Sequence, residues 1–121
     1  MSEVDEQQGF ALSTPPTVDA ATGHLLLAAA GELDLASAGE LRLILLRALR
    51  EHTVVLEMRE LTFCDSAGLR TVIEAHRHAQ KHGTSLRIAA PSDALTRVFD
   101  LAGATGIIAT YPDVASALAA G

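Results

Sequence analysis

Apolar residues along the chain fall into short runs that alternate with helical stripes. "GFALST" reads as a short edge strand, halted by Pro15 and Pro16, because proline cannot donate to a ladder. "DAATGH" supplies turn residues. "HLLLAAAG" then forms a continuous apolar run, which predicts a strand of about seven residues covered on both faces. The period changes in "GELDLASAGELRLILLRALREH". Leu41, Ile44, Leu45, Ala48 and Leu49 share one helical face, and Ser37 and Glu40 stand at capping-box spacing before them. "TVVLEM" is short and β-branched and reads as a strand. From Ser66 to His82 a second helix is expected, with Leu69, Val72, Ile73, His76 and Ala79 on one face and Gly83 as its stop. "SLRIAA" is a strand and "PSDALTRVFDLAG" a helix. "GIIAT" is a last strand, and "PDVASALAAG" a last helix opened by Pro112 and Asp113.

The order β-β-α-β-α-β-α-β-α predicts an α/β fold: a small, mostly parallel mixed sheet of four to five strands with about four helices packed on it. The 121 residues suit one domain over 9–121, preceded by a flexible tail at 1–8. Half of the chain is hydrophobic, mainly Ala and Leu, and there is no Trp, so the core is aliphatic.

Charge narrows the function. A formal net charge of −6 provides no general field for nucleic acid or anionic lipid, which leaves basic protein partners open. The polar, acidic start lacks a secretory signal, and no apolar run approaches the length of a membrane helix. The single cysteine, Cys64, excludes an internal disulfide and fits a reducing compartment. A cytoplasmic protein, monomeric or weakly dimeric, is expected.

The stretch "LTFCDSAGLRTV" concentrates the candidate chemistry. A buried strand ends, Asp65 and Ser66 follow, and a helix begins with Gly68 inside its first turn. Glycine there costs up to about 1 kcal/mol relative to alanine, which suggests that something approaches the backbone closely. As a nucleophile, Ser66 would need a base and an oxyanion hole. The G-x-S-x-G elbow lacks its first glycine here, His76, His78 and His82 lie along the helix that Ser66 starts, and His24 and His52 flank strands elsewhere. No catalytic residue is assigned. Glu74, His78 and His82 could share a helix face toward zinc, but no third fixed ligand or H-E-x-x-H is present, so a solvated polar face is expected and no metal or cofactor is assigned. "GELDLASAG" has no lysine and matches neither nucleotide fingerprint. Cys64 reads as a small buried apolar group. Ser66 or Asp65 as a helix cap accounts for one polar group but not for both together with Gly68.

Read together, "GELDLASAGEL", "LTFCDSAGL" about 25 residues later, and "ALTRVFDLAGATGII" resemble the bacterial anti-sigma factor antagonists, which are single STAS domains, over nearly the whole chain. The resemblance implies that Ser66 is phosphorylated by an anti-sigma factor with serine kinase activity. It implies that the unphosphorylated form binds that factor and frees a sigma factor, and that a serine phosphatase resets the cycle. It places Asp34 near the serine, in contact with the kinase. The partner-binding surface expected around them comprises Gly31, Glu32, Asp34, Asp65, Gly68, Leu69 and Arg70. Two positions depart from the family pattern. Ala67 replaces a second hydroxyl, and Arg70 stands where glycine is usual. Arg70 is four residues after Ser66 and is expected to pair with a phosphate there. A subunit of a lipid-transport or stress-sensing complex is the alternative within the same fold, and a small serine hydrolase the alternative outside it.

Overall fold

A computed structural model describes residues 9–120, so the tail expected at 1–8 lies outside the described residues. The elements are β1 (Phe10–Leu12), β2 (Thr17–Val18), β3 (Leu25–Leu33), α1 (Leu35–Ala48), β4 (Val54–Cys64), α2 (Ser66–His82), β5 (Leu86–Ala89), α3 (Asp93–Leu101), β6 (Ala109–Tyr111) and α4 (Val114–Ala119). They form a six-stranded mixed sheet in the order β1-β3-β4-β5-β6, with β2 also paired to β3. From β3 onward the ladders are parallel, while β1 and β2 run antiparallel to β3. The α/β class and the order of the main elements are those read from the sequence. The sixth strand, β2, is an addition: only two residues long and exposed, it has no periodicity to betray it.

The helices divide unequally between the two faces. Leu41, Leu45 and Leu49 of α1, Val72, Ala75 and Ala79 of α2, and Leu95 and Phe99 of α3 pack with Leu27, Leu56, Met58 and Ile88 of the sheet in one large core. Among the described residues the other face has only α4, whose Ala117 covers Val55 and Ala89. β3 therefore alternates between buried and half-buried positions instead of being covered on both faces, because a helix of six residues cannot span the sheet. Arg87 points to this thinner side, and its Nη1 donates to the Ala117 carbonyl at 2.8 Å.

β4 departs most from the sequence reading. It continues beyond "TVVLEM" to Cys64, and its pairing with β3 shifts twice: Ala28 and Ala30 face Glu57 and Glu60, then Gly31 and Glu32 face Leu61 and Phe63. Each shift inserts one extra residue into β4, a bulge that resets which side chains face the core. Met58, Leu61 and Cys64 are all buried despite a spacing of three. A plain two-residue period would have turned Leu61 outward.

The expected strand "GIIAT" is also corrected. Ile107 and Ile108 N–H groups both donate to the Ala104 carbonyl, which holds Gly106–Ile108 in a turn and delays β6 to Ala109. The α1 cap moves as well. Asp34 is the N-cap, its Oδ1 accepting from the Ala36 and Ser37 N–H groups, while Ser37 Oγ accepts from the Asp34 N–H at 2.9 Å. The box is thus Asp34 with Ser37, one turn before the Ser37–Glu40 spacing, and it leaves Glu40 exposed.

Two glycines fix how closely the chain passes over itself beside the strand ends. Gly31 has φ +91°, and a Cβ there would collide with the Gly9 carbonyl oxygen. A Cβ on Gly68 would lie 2.7 Å from Leu33 Cγ and 2.9 Å from the Leu33 carbonyl oxygen. Neither neighbour is the free end of a flexible chain, so the overlap outweighs alanine's better helix propensity. Gly68→Ala should destabilise the protein by about 1–2 kcal/mol. Gly39→Ala, in α1 with nothing within 4 Å of its added methyl, should stabilise it by about 0.5–1 kcal/mol. Urea denaturation of both variants checks the opposite signs.

Candidate functional site

Parallel pairing of β3 and β4 ends with Leu33 beside Cys64, and each strand passes directly into a helix. The two helix starts therefore lie abreast at one end of the sheet, the end where α/β folds gather functional groups. Each is capped by the carboxylate before it. Asp34 caps α1, and Asp65 caps α2 by accepting from the Gly68 N–H at 2.9 Å. The Asp65 N–H in turn donates to the Leu33 carbonyl at 3.1 Å, which ties the second cap to the end of β3.

Because Asp65 does the capping, Ser66 is the first helical residue and is exposed. Its side chain makes no hydrogen bond among the described residues. The cap role considered for Ser66 thus belongs to its neighbour, and the hydroxyl is left for an incoming group. Histidine bonds lie elsewhere: His52 Nδ1 to the Gly23 carbonyl, His78 Nε2 to the Leu46 carbonyl, and His82 Nδ1 to the His78 carbonyl. None of these orients a base toward Ser66.

Of the partner-facing residues inferred from the sequence, the structure gathers most at this end but gives them different exposures. Glu32, Ser66 and Arg70 are exposed, while Asp34, Gly31 and Asp65 are half-buried. Gly68 and Leu69 are buried. The close neighbour that Gly68 admits is Leu33 of its own chain, which explains the glycine without a partner. Arg70 has no hydrogen bond or ion pair among the described residues and, with Ser66, Leu69, Ile73, Glu74 and Arg77, lines a depression of about 550 Å³.

Sequence reasoning missed two apolar groups. Phe63 sits opposite Glu32 in the ladder and is 48% exposed, and Leu35, the first residue of α1, is 80% exposed. Phe63 faces outward because of the second bulge, a feature with no sequence signature. Cys64 faces the core, and burial together with the Asp65 charge pushes its thiol up to about 11, so it stays neutral at physiological pH.

The polar helix face read as solvated is partly tied down. Arg42 Nε and Nη2 donate to the Glu74 carboxylate at 2.7–3.0 Å, and this pairing holds the Glu74 carboxyl below its ordinary value. The His78 and His82 rings touch at a tilt of 43°, with centroids 4.4 Å apart. Among the described residues no three His, Cys, Asp or Glu side chains gather as a metal site would require. No helix among them is long and apolar enough to cross a membrane.

Comparison with known proteins agrees with this arrangement. Residues 15–117 match the family model for the STAS domain. An anti-sigma factor antagonist from Mycobacterium paratuberculosis superposes with a TM-score of 0.77 at 20% identity, covering 92% of each chain. The Bacillus cell fate determinant SpoIIAA, in its phosphorylated form, gives a TM-score of 0.61 at 21% identity over 84% of this chain and 90% of that one. A murine solute carrier 26 family anion transporter contains the same fold, with a TM-score of 0.75 at 14% identity, over 96% of this chain and 23% of its own. At these identities the likenesses establish a shared fold, and the family match covers most of the sequence. The chain belongs to the STAS domain family.

Proposed function

We propose that this protein is an anti-sigma factor antagonist: unphosphorylated, it binds a serine-kinase-type anti-sigma factor and so releases a sigma factor, and phosphorylation of Ser66 ends that binding. The observation that carries the reading is the exposed Ser66 hydroxyl at the start of α2, released from capping by Asp65 and set beside the Asp34-capped start of α1. The chain acts as the kinase's substrate and not as an enzyme, and a serine phosphatase restores it. Glu32, Asp34, Asp65, Arg70, Phe63 and Leu35, from the ends of β3 and β4 and the starts of both helices, complete the proposed partner surface.

Physical chemistry supports a switch at this position. A phosphate adds about −1.5 to −2 charge. At a helix N-terminus the macrodipole tolerates that charge, so the fold survives it. Asp34 and Asp65 make the same charge costly for a partner surface fitted to a neutral hydroxyl. Each 1.4 kcal/mol or so of lost fit changes affinity tenfold, so a few kcal/mol suffice.

A second reading keeps the fold and changes the partner. The likeness to part of a transporter chain favours a subunit role in a transport complex as that reading. One experiment separates the two: incubation with ATP and a purified serine-kinase anti-sigma factor encoded beside this gene, followed by intact mass measurement. The antagonist reading expects one phosphate, absent in Ser66→Ala, and a complex that forms only with the unmodified protein. The absence of both phosphate and complex would sink it, and co-purification with transporter subunits would favour the other. The electrostatic argument makes a separate prediction. Protein carrying phosphoserine at position 66 should melt within about 5 °C of the unmodified protein, a shift of roughly 1 kcal/mol or less, as read by calorimetry.

A further inference from the structure

The depression beside Ser66 continues along α2 as a stripe. Ser66, Arg70, Ile73 and Arg77 recur at the helical repeat, with Leu69 and Ile73 as an apolar floor. Glu74 also lines it, but Arg42 holds that carboxylate from α1. Arg70 and Arg77 are thus left without an ion pair among the described residues, about 10 Å apart along the helix axis. Two unneutralised guanidinium groups on one stripe, in a chain of net charge −6, mark a local reversal of sign.

We infer that this stripe docks an acidic amphipathic helix of the partner, and that phosphate on Ser66 switches the surface off by drawing Arg70 away from that helix into a pair within the chain. The inference rests on the antagonist reading above and names the chemistry of its partner. A helix lying along α2 can present carboxylates two turns apart to Arg70 and Arg77, with an apolar residue between them against Leu69 and Ile73. Two cations beside an apolar floor suit such a helix better than an anionic membrane, which is recognised by clusters of about 4–8 basic residues.

The geometry of α2 explains why phosphate wins Arg70. Side chains on a helix lean toward its N-terminus, so Arg70 reaches back over Ser66 one turn earlier. Arg77, eleven residues on, lies about 16 Å away and cannot follow. A phosphate–arginine pair within one chain costs no association entropy, so it competes favourably with a carboxylate on another molecule. The off state then arises from a lost attraction as well as from an added repulsion.

A four-protein cycle tests this, with Ser66 or genetically encoded phosphoserine on the wild-type and Arg70→Ala backgrounds. Calorimetric titration with the purified serine-kinase anti-sigma factor gives the affinities. Without phosphate, Arg70→Ala and Arg77→Ala should each weaken binding about tenfold. Phosphate should weaken the wild type far more than Arg70→Ala, because the arginine it captures is already gone. Equal or greater loss on the Arg70→Ala background overturns the inference, leaving repulsion alone. If the anti-sigma factor binds none of the proteins, the antagonist reading falls, and phosphorus NMR of the phosphoserine forms decides the arginine capture by itself. The phosphate should titrate at lower pH in the wild type than in Arg70→Ala, and coincident curves overturn it. Binding to phosphatidylglycerol vesicles that both arginine variants lose, with anti-sigma factor binding intact, overturns the helix occupant in favour of a lipid surface.

Discussion

The site depends on how closely α2 can approach the end of β3. Gly68 sits against the Leu33 side chain and carbonyl with no room for a methyl group, and the Asp65 N–H binds that same carbonyl. Together these contacts bring the start of α2 down to the level of the start of α1. The two aspartate caps then stand abreast and Ser66 is pushed to the outside. A larger residue at position 68 would lift α2 away from the strand and separate the groups that the surface needs together. The glycine expresses a packing constraint that sets the geometry of the proposed site.

Capping chemistry divides the labour among the polar groups. Asp34 with Ser37, and Asp65 with Gly68, satisfy helix-end amides that would otherwise compete for any nearby oxygen. A serine in a cap position would have its hydroxyl engaged, and modifying it would cost the helix a bond. With aspartate in that place, the hydroxyl one residue later carries no structural duty. The Arg42–Glu74 pair has a comparable effect further along. Both side chains are about half exposed, so the pair adds little stability, but it removes one carboxylate from the α2 surface. Arg70 and Arg77 on that stripe have no ion pair among the described residues.

Much of this was legible in the chain. The stripe of Leu69, Val72 and Ala79, with Gly83 after it, gives α2 its true bounds because amphipathic period and stop signal agree. Ser92 and Asp113 mark the starts of α3 and α4 by capping chemistry. "DSAGL" after an apolar run pointed to the proposed site. What escaped depends on contacts between distant segments. The two extra residues in β4 are defined only against β3, so the outward Phe63 and inward Leu61 have no local signature. The Ser37–Glu40 spacing reads as the helix start, whereas Asp34 takes that role with the Ser37 hydroxyl three residues on, which puts the exposed Leu35 in the first turn. Gly106–Ile108 has strand composition, yet the Ala104 carbonyl claims its amides.

The bulges in β4 also govern how the sequence can change. They set the phase in which the chain enters the Asp65 corner: Cys64 inward, Phe63 outward. Removing a single residue between Met58 and Cys64 would rotate this phase by half a turn, carry an aromatic ring into the core and turn the thiol to water. Substitution at the exposed positions Arg59, Glu60 and Thr62 leaves the phase untouched. Strand length here works as a spacer whose residue count is constrained more tightly than its residue identities.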